Sequence, residues 1–155
     1  MKPNRPPSSG VAGTVPAYGR LLRRTHWRFS RAMSNALTER GLVLGQFRLL
    51  RVLFVENGLT QRELSDRVEI EQGALTNLFR SMEADGLIER RRDSTDGRKI
   101  EVFLTPRSQR LRATLLPLAE DVNRRACSGI SRRDLATTIR VLNTMAANLT
   151  AVKEP

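Results

Sequence analysis

Gln72, Gly73, Thr76, Asn77 and Arg80 recur at the three- and four-residue intervals that line one side of a helix. Amide, hydroxyl and guanidinium groups of this size match the donor and acceptor pattern of base edges in a major groove. A solvated helix face would draw on the same residue types. A second cluster follows, in which Arg90, Arg91, Arg92, Arg98 and Lys99 flank a short polar stretch containing Ser94, Thr95 and Asp96. Closely spaced cations suit phosphates, although a solvated charge run is the simpler account. Neither cluster holds a nucleophile with a base beside it, so their chemistry is recognition, and no catalytic residue is assigned.

The elements that would position these groups can be read from caps and periodicity. Thr60 and Glu63 have the spacing of a capping box at the start of a helix, with Leu64 and Val68 as a narrow apolar face. Leu75, Leu78, Phe79 and Met82 fall at i, i+3, i+4 and i+7, the apolar stripe of a second helix, and Gly86 supplies its left-handed stop. Residues 87–92 and 99–104 read as paired strands, the second with Ile100, Val102 and Leu104 alternating against Lys99, Glu101 and Phe103. Asp96-Gly97 is the turn signal between them. Two short helices followed by a charged hairpin form the pattern of a winged helix-turn-helix, over residues 59–105.

Leu59-Thr60-Gln61 with Glu63-Leu64, Gly86-Leu87-Ile88-Glu89-Arg90, Asp96-Gly97-Arg98 and Leu104-Thr105 together resemble the multiple-antibiotic-resistance regulator (MarR) family of bacterial transcription regulators. The resemblance implies a dimer that binds double-stranded DNA. In that family the residues at the positions of Asp96 and Arg98 shape the wing, and the arginine enters the minor groove. The reading helix departs from the family pattern. Gly73 and Ala74 stand where Ser or Thr is common, Asn77 stands where Arg usually follows the shared Thr76, and Arg80 stands where an acidic residue is frequent. Arg80 thereby offers a phosphate or guanine contact of its own.

Composition agrees with a helical protein of one domain. The chain has 155 residues, 39% of them hydrophobic and only 5% aromatic, which suits a core of Leu, Val and Ala. No apolar run approaches the roughly 20 residues of a membrane span, and the start carries no secretory h-region; the expectation is a cytoplasmic, nucleoid-associated protein without membrane contact. The net charge of +11 invites a nucleic-acid partner. Its distribution is uneven, because residues 59–105 carry a net −2 while residues 20–58 carry +6 and residues 106–155 carry +5. One Cys and one His exclude a disulfide framework or a zinc site within one chain, and no cofactor or metal is expected. Cys127 reads as a packing residue, with redox sensing as the alternative. His26 reads as a packed or surface residue.

Residues 1–18, rich in Pro, Gly and Ser, read as a disordered arm. Residues 19–58 and 106–151 read as a helical platform. Its first helix should run from about Tyr18 to Arg40, with Leu22, His26, Phe29, Met33, Ala36 and Leu37 on one face and Trp27 on another, between Arg23 and Arg31. Its second, residues 44–57, is apolar nearly all round apart from Arg48 and Arg51 and should be buried. Arg23, Trp27, Arg31, Arg48 and Arg51 suggest a basic, partly aromatic pocket for a small aromatic anion; surface or interface packing is the competing account. After Thr105-Pro106, a helix start, Leu111, Leu115, Leu118 and Val122 repeat at coiled-coil spacing, with a kink expected at Pro117. The last helix opens on a Ser131/Asp134 cap and keeps heptad spacing at Leu135, Ile139, Leu142, Ala146 and Leu149. In the MarR family such terminal helices form the dimer interface; seams buried within one chain are the alternative.

The expected function is a homodimeric, ligand-responsive repressor that reads a pseudo-palindromic operator through two reading helices roughly 10 base pairs apart. A protein-interaction adaptor that keeps the winged fold without reading DNA is the alternative, favoured by the net −2 of the module. An enzyme lacks support, since the chain has no glycine-rich cofactor loop.

Overall fold

Helix starts and stops follow the caps closely. The computed structural model describes residues 17–68, 72–92 and 99–150. In chain order these form α1 (Tyr18–Thr38), α2 (Leu44–Leu53), β1 (Leu59–Thr60), α3 (Gln61–Val68), α4 (Gln72–Ala84), β2 (Ile88–Arg92), β3 (Ile100–Leu104), α5 (Pro106–Ala126) and α6 (Arg132–Thr150). The architecture is mainly α, with a winged helix-turn-helix between flanking helices. Residues 1–16 of the expected arm lie outside the described residues.

The capping box at α3 is reciprocal. The Thr60 amide donates to Glu63 Oε2 at 2.8 Å, and the Glu63 amide donates to Thr60 Oγ1 at 3.3 Å. These donors, the Thr60 hydroxyl first, hold the Glu63 carboxyl below its usual pKa. At α5, Thr105 accepts from the Ser108 amide at 3.3 Å, with Pro106 in the first turn where its missing N–H costs nothing. Ser108 is fully buried, and its hydroxyl donates to the Thr105 carbonyl at 3.0 Å. The helix continues through Pro117 to Ala126.

Two expectations are corrected. α2 ends at Leu53 instead of Asn57, and Val55 is 88% exposed, so this helix is not buried along the whole of residues 44–57. The reason is that the next residues belong to the sheet. Asn57 Oδ1 accepts from the Leu104 amide at 2.9 Å, and the Gly58 amide donates to the Val102 carbonyl at 3.1 Å. Those bonds draw the chain out of the helix and into β1, a strand that the sequence pattern did not suggest. The sheet is therefore three-stranded and antiparallel, ordered β1-β3-β2, with Leu59 opposite Val102 and Ile88 opposite Leu104. On β3, Val102 and Leu104 are buried as the alternation requires. Ile100 is 39% exposed because the strand has by then run past the core, and its partner there is the exposed Arg92.

The core is continuous from the platform into the winged module. Leu37 of α1, Leu49 and Leu50 of α2, Leu64 of α3, Met82 of α4, Val102 of β3 and Leu115 of α5 have no exposed surface. Each buried side chain of this size contributes about 1.5–3 kcal/mol relative to exposure. The α5 seam is divided: Leu115 and Val122 are buried within the chain, while Leu111 and Leu118 are half-buried. The α6 seam is open, with Ile139 62% exposed, Leu142 40% and Leu149 78%. Leu135 is half-buried, and none of the principal contacts between elements involves α6.

Gly58 shows how tightly the turn into β1 is made. Its φ is +80°, and an added Cβ would lie 2.8 Å from Phe103 Cε1. Gly58→Ala is expected to combine left-handed backbone strain with this clash and to lower unfolding free energy by about 1–3 kcal/mol, as measured by urea denaturation; a loss under about 0.5 kcal/mol would contradict the geometry.

Candidate nucleic-acid interface

α4 presents two opposed faces. Leu75, Phe79 and Met82 are buried and Leu78 half-buried, which seats the helix on the core. Gly73, Thr76, Asn77 and Arg80 are all exposed on the other side, and Gln72 opens the helix. The four exposed positions thus share one accessible face. Arg80 has no ion-pair partner among the described residues. Where α3 passes α4, Gln61, Arg62, Leu75, Thr76 and Phe79 surround a cleft of about 260 Å³. Arg62, exposed at the first turn of α3, thereby lies on the Thr76 side of this exposed face. Sequence spacing within one helix carries no signal for that neighbour, since it depends on how the two helices cross.

The basic cluster of the hairpin divides in two. Arg90 reaches back to Glu83 of α4 at 2.5 Å, and this hydrogen bond raises its pKa further against desolvation. Arg91 pairs with Glu89 and lies over the Phe103 ring, 4.8 Å from its centroid. Both cations are thus partly neutralised and braced along β2. Arg92 and Lys99 are exposed and have no ion-pair partner among the described residues. Arg90, Arg91 and Arg92 lie on the β2 arm and Lys99 just before β3, and acidic residues on α4 and β2 compete for Arg90 and Arg91. Ser94, Thr95, Asp96 and Arg98 lie outside the described residues.

A cleft of about 520 Å³ opens between α1, α2, α3 and α5. Arg48 and Arg51 of α2 and Arg67 of α3 line it, with His26 of α1, and Phe29 and Phe47 supply aromatic walls. No carboxylate lines it, although Glu56 holds Arg67 at 2.5 Å. His26 Nε2 is 3.3 Å from Ser30 Oγ. Of the five residues expected to converge, two line this cleft. Arg48 and Arg51 converge there, but Arg23, Trp27 and Arg31 do not line it. Trp27 is 56% exposed, with the Arg31 guanidinium 5.3 Å from its ring centroid. Helical geometry explains the difference. His26, Phe29, Ser30 and Met33 lie at i, i+3, i+4 and i+7 and share the inward face, whereas Trp27 is rotated by about 100° from His26. The contribution of Arg67 was missed because it comes from the winged module, not from the platform.

Cys127 is half-buried at the C-cap of α5. Among the described residues, no group of His, Cys, Asp and Glu is arranged to hold a metal ion, and no helix is long and apolar enough to cross a membrane.

Comparison with known proteins places this geometry. The MarR family model matches residues 42–100, which run from the approach to α2 to the start of β3. The HTH-type transcriptional regulator TtmR of Methylorubrum extorquens is 34% identical over 87 residues, covering 56% of this chain and 45% of that protein. The chain thus spans less than half of TtmR. An HTH-type transcriptional repressor of Mycobacterium tuberculosis is 31% identical over 102 residues, covering 66% of this chain and 73% of the repressor. Among solved structures, a MarR-family regulator from Silicibacter pomeroyi is 27% identical with a TM-score of 0.74, covering 90% of this chain and 93% of that one. Bordetella bronchiseptica BpsR, whose DNA binding is regulated by 6-hydroxynicotinic acid, has the same fold at 23% identity with a TM-score of 0.76, covering 83% of this chain and 98% of that one. Matched along α2, the two module helices and the wing, and similar in fold to MarR regulators from end to end of the described helices, the chain belongs to the MarR family of transcriptional regulators.

Proposed function

We propose that this chain is a homodimeric repressor in which α4 reads operator DNA and β2-β3 form the wing. The observation that carries the reading is the exposed polar face of α4, set on a buried apolar stripe, on a helix that Glu83 ties to Arg90 of β2. Gln72, Gly73, Thr76, Asn77 and Arg80 are assigned to the major groove, with the amides and hydroxyl on base edges and Arg80 on guanine or phosphate. Arg92, Lys99 and Arg98 are assigned to phosphates and the minor groove, and Ser94, Thr95 and Asp96 to the shape of the tip. Arg91, tied to Glu89, contributes less than sequence order suggests. Residues 59–105 act as the DNA-binding module, and residues 19–58 with 106–151 as the platform.

A random-sequence duplex library, selected on the full chain and sequenced, tests the reading. The expected result is a pseudo-palindrome with half-sites roughly 10 base pairs apart. On the enriched duplex, Asn77→Ala and Arg98→Ala should each weaken specific binding by about 5- to 150-fold, with little change on unrelated DNA. If no sequence is enriched, α4 does not read DNA. The adaptor reading would then be favoured, as it already is by the net −2 of residues 59–105 and by the neutralised Arg90 and Arg91.

The dimer is assigned to α6, with Leu135, Ile139, Leu142 and Leu149 meeting a second copy and Leu111 and Leu118 of α5 at its margin. Its support is the open apolar seam of α6, which the chain itself does not cover. Leu142→Asp should dissociate the dimer without unfolding the core, since Leu142 belongs to no intrachain cluster. Sedimentation velocity with circular dichroism checks this, and a dimeric, folded variant would refute the interface.

The cleft at the platform junction is assigned to a small amphipathic anion, an aromatic carboxylate being the best fit. Arg48, Arg51 and Arg67 supply charge-assisted donors, and Phe29 and Phe47 the ring contacts. Calorimetric titration with salicylate and benzoate should show binding that Arg51→Ala abolishes, and either acid should weaken operator binding by about 5- to 150-fold. Binding that survives Arg51→Ala, or no binding at all, would remove this assignment.

A further inference from the structure

Gln46 lies in the first turn of α2, is 3% exposed, and spends both ends of its amide. Oε1 accepts from the Val43 amide at 3.1 Å, closing the start of α2; valine has no side-chain acceptor, so only this half of a capping box is made. Nε2 crosses to the far end of α4, where it donates to Asp85 Oδ2 at 2.7 Å and lies 3.4 Å from Ser81 Oγ. The amide orientation is dictated by its partners, because the opposite flip would set a donor against an amide and an acceptor against a carboxylate.

Asp85 and Gly86 are held from the other side by α5. Arg107 Nη1 donates to the Asp85 carbonyl, and Thr105 Oγ1 donates to the Gly86 carbonyl at 2.7 Å. The corner between α4 and β2 is thus gripped by both platform helices that touch it, through a side-chain carboxylate and two main-chain carbonyls. A buried amide is costly unless paired, and here its pairing is satisfied in only one placement of α4. A leucine would fill similar space without selecting an orientation.

We infer that Gln46 and Asp85 are positioning residues that set the pitch of the reading helix relative to the platform, and so its DNA specificity. The inference rests on the reading of α4 proposed above. Leverage gives it force: the first turn of α4 lies about 20 Å from the clamped corner, at 1.5 Å per residue. A tilt of about 5° there moves the first turn by about 1.7 Å and Thr76 and Asn77 by about 1 Å, beyond the roughly 0.5 Å range of a good hydrogen bond. Leu75, Phe79 and Met82 seat α4 on the core and set its general crossing angle, and the Gln46–Asp85 bond adds a directional constraint at its C-terminal end, where the lever to the first turn is longest.

The test uses Asp85→Ala, Gln46→Glu and the double variant Gln46→Glu/Asp85→Asn. Asp85 is exposed, so its truncation removes no apolar core contact and leaves the Gln46 amide only the longer approach to Ser81 Oγ at 3.4 Å. Gln46→Glu sets two carboxylates together, and the double variant restores a donor and an acceptor with their roles exchanged. Spin labels at Ala74→Cys in α4 and Arg110→Cys in α5, in a Cys127→Ser background diluted with unlabelled chain, report helix position without DNA. Both single variants should broaden or shift the label distance by about 1–2 Å or more, as the lever arm requires, and the double variant should return it to the parent width. On duplexes enriched by the parent protein, Asp85→Ala should lower specific affinity about 10-fold with non-specific affinity unchanged, and the double variant should recover to within about threefold. A merely structural role would lower Tm while leaving the label distance and the specific-to-non-specific ratio as they were; that result overturns the inference. So does a folded double variant without recovery. If the parent enriches no duplex, the reading of α4 fails, and the label distances alone decide whether the clamp positions the helix.

Discussion

Burial of the short helix α2 is the constraint on which the molecule depends. It packs against α1, α3, α4, α5 and β3, and Leu49 and Leu50 have no exposed surface at all. A helix enclosed in this way must offer each neighbour a different surface, and α2 does so in ten residues. Phe47 with Arg48 and Arg51 walls the cleft, Gln46 grips α4, and Gly45 admits Leu78, to which an added Cβ would come within 3.2 Å. Close packing makes such a junction stiff. A change at any face of α2 therefore bears on the elements packed against its other faces, α4 and the helices that line the cleft among them.

Electrostatics is arranged locally, and net charge is a poor guide to it. The module proposed to meet DNA carries a net −2, yet Glu83 and Glu89 spend their charge on Arg90 and Arg91 along β2, leaving Arg92 and Lys99 accessible. Exposed pairs of this kind add little stability, about 0–1 kcal/mol each. The Arg90–Glu83 pair ties the β2 arm to α4, while Arg91–Glu89 lies along the arm itself. The excess charge outside the module is largely on exposed platform surface, as with Arg23 and Arg31 around Trp27.

Much of the fold was legible in the chain because its signals are local. A capping box, a heptad seam or an i, i+3, i+4, i+7 stripe depends on residues within one or two turns of each other, and Thr60 with Glu63 is made as its spacing implies. The same locality explains the winged pattern, the stop at Gly86, and the exposed polar face of α4. The pocket was legible only in part. Arg48 and Arg51 could be singled out as charges on an apolar helix, but Trp27 was drawn in by its chemistry although it faces away from the cleft.

The sequence by itself determined most of the helices, the hairpin arms, the apolar stripes and the exposed polar face of α4, since periodicity and capping are properties of single segments. Only the tertiary structure decided which α5 leucines are buried within the chain, that α6 leaves its seam open, and that residues 59 and 60 form a third strand. It alone brought Arg67 to the cleft and Gln46 to Asp85, 39 residues away. Contacts of that kind have no period to read. They depend on the angle at which helices cross, and that angle is set by the packing of the whole core.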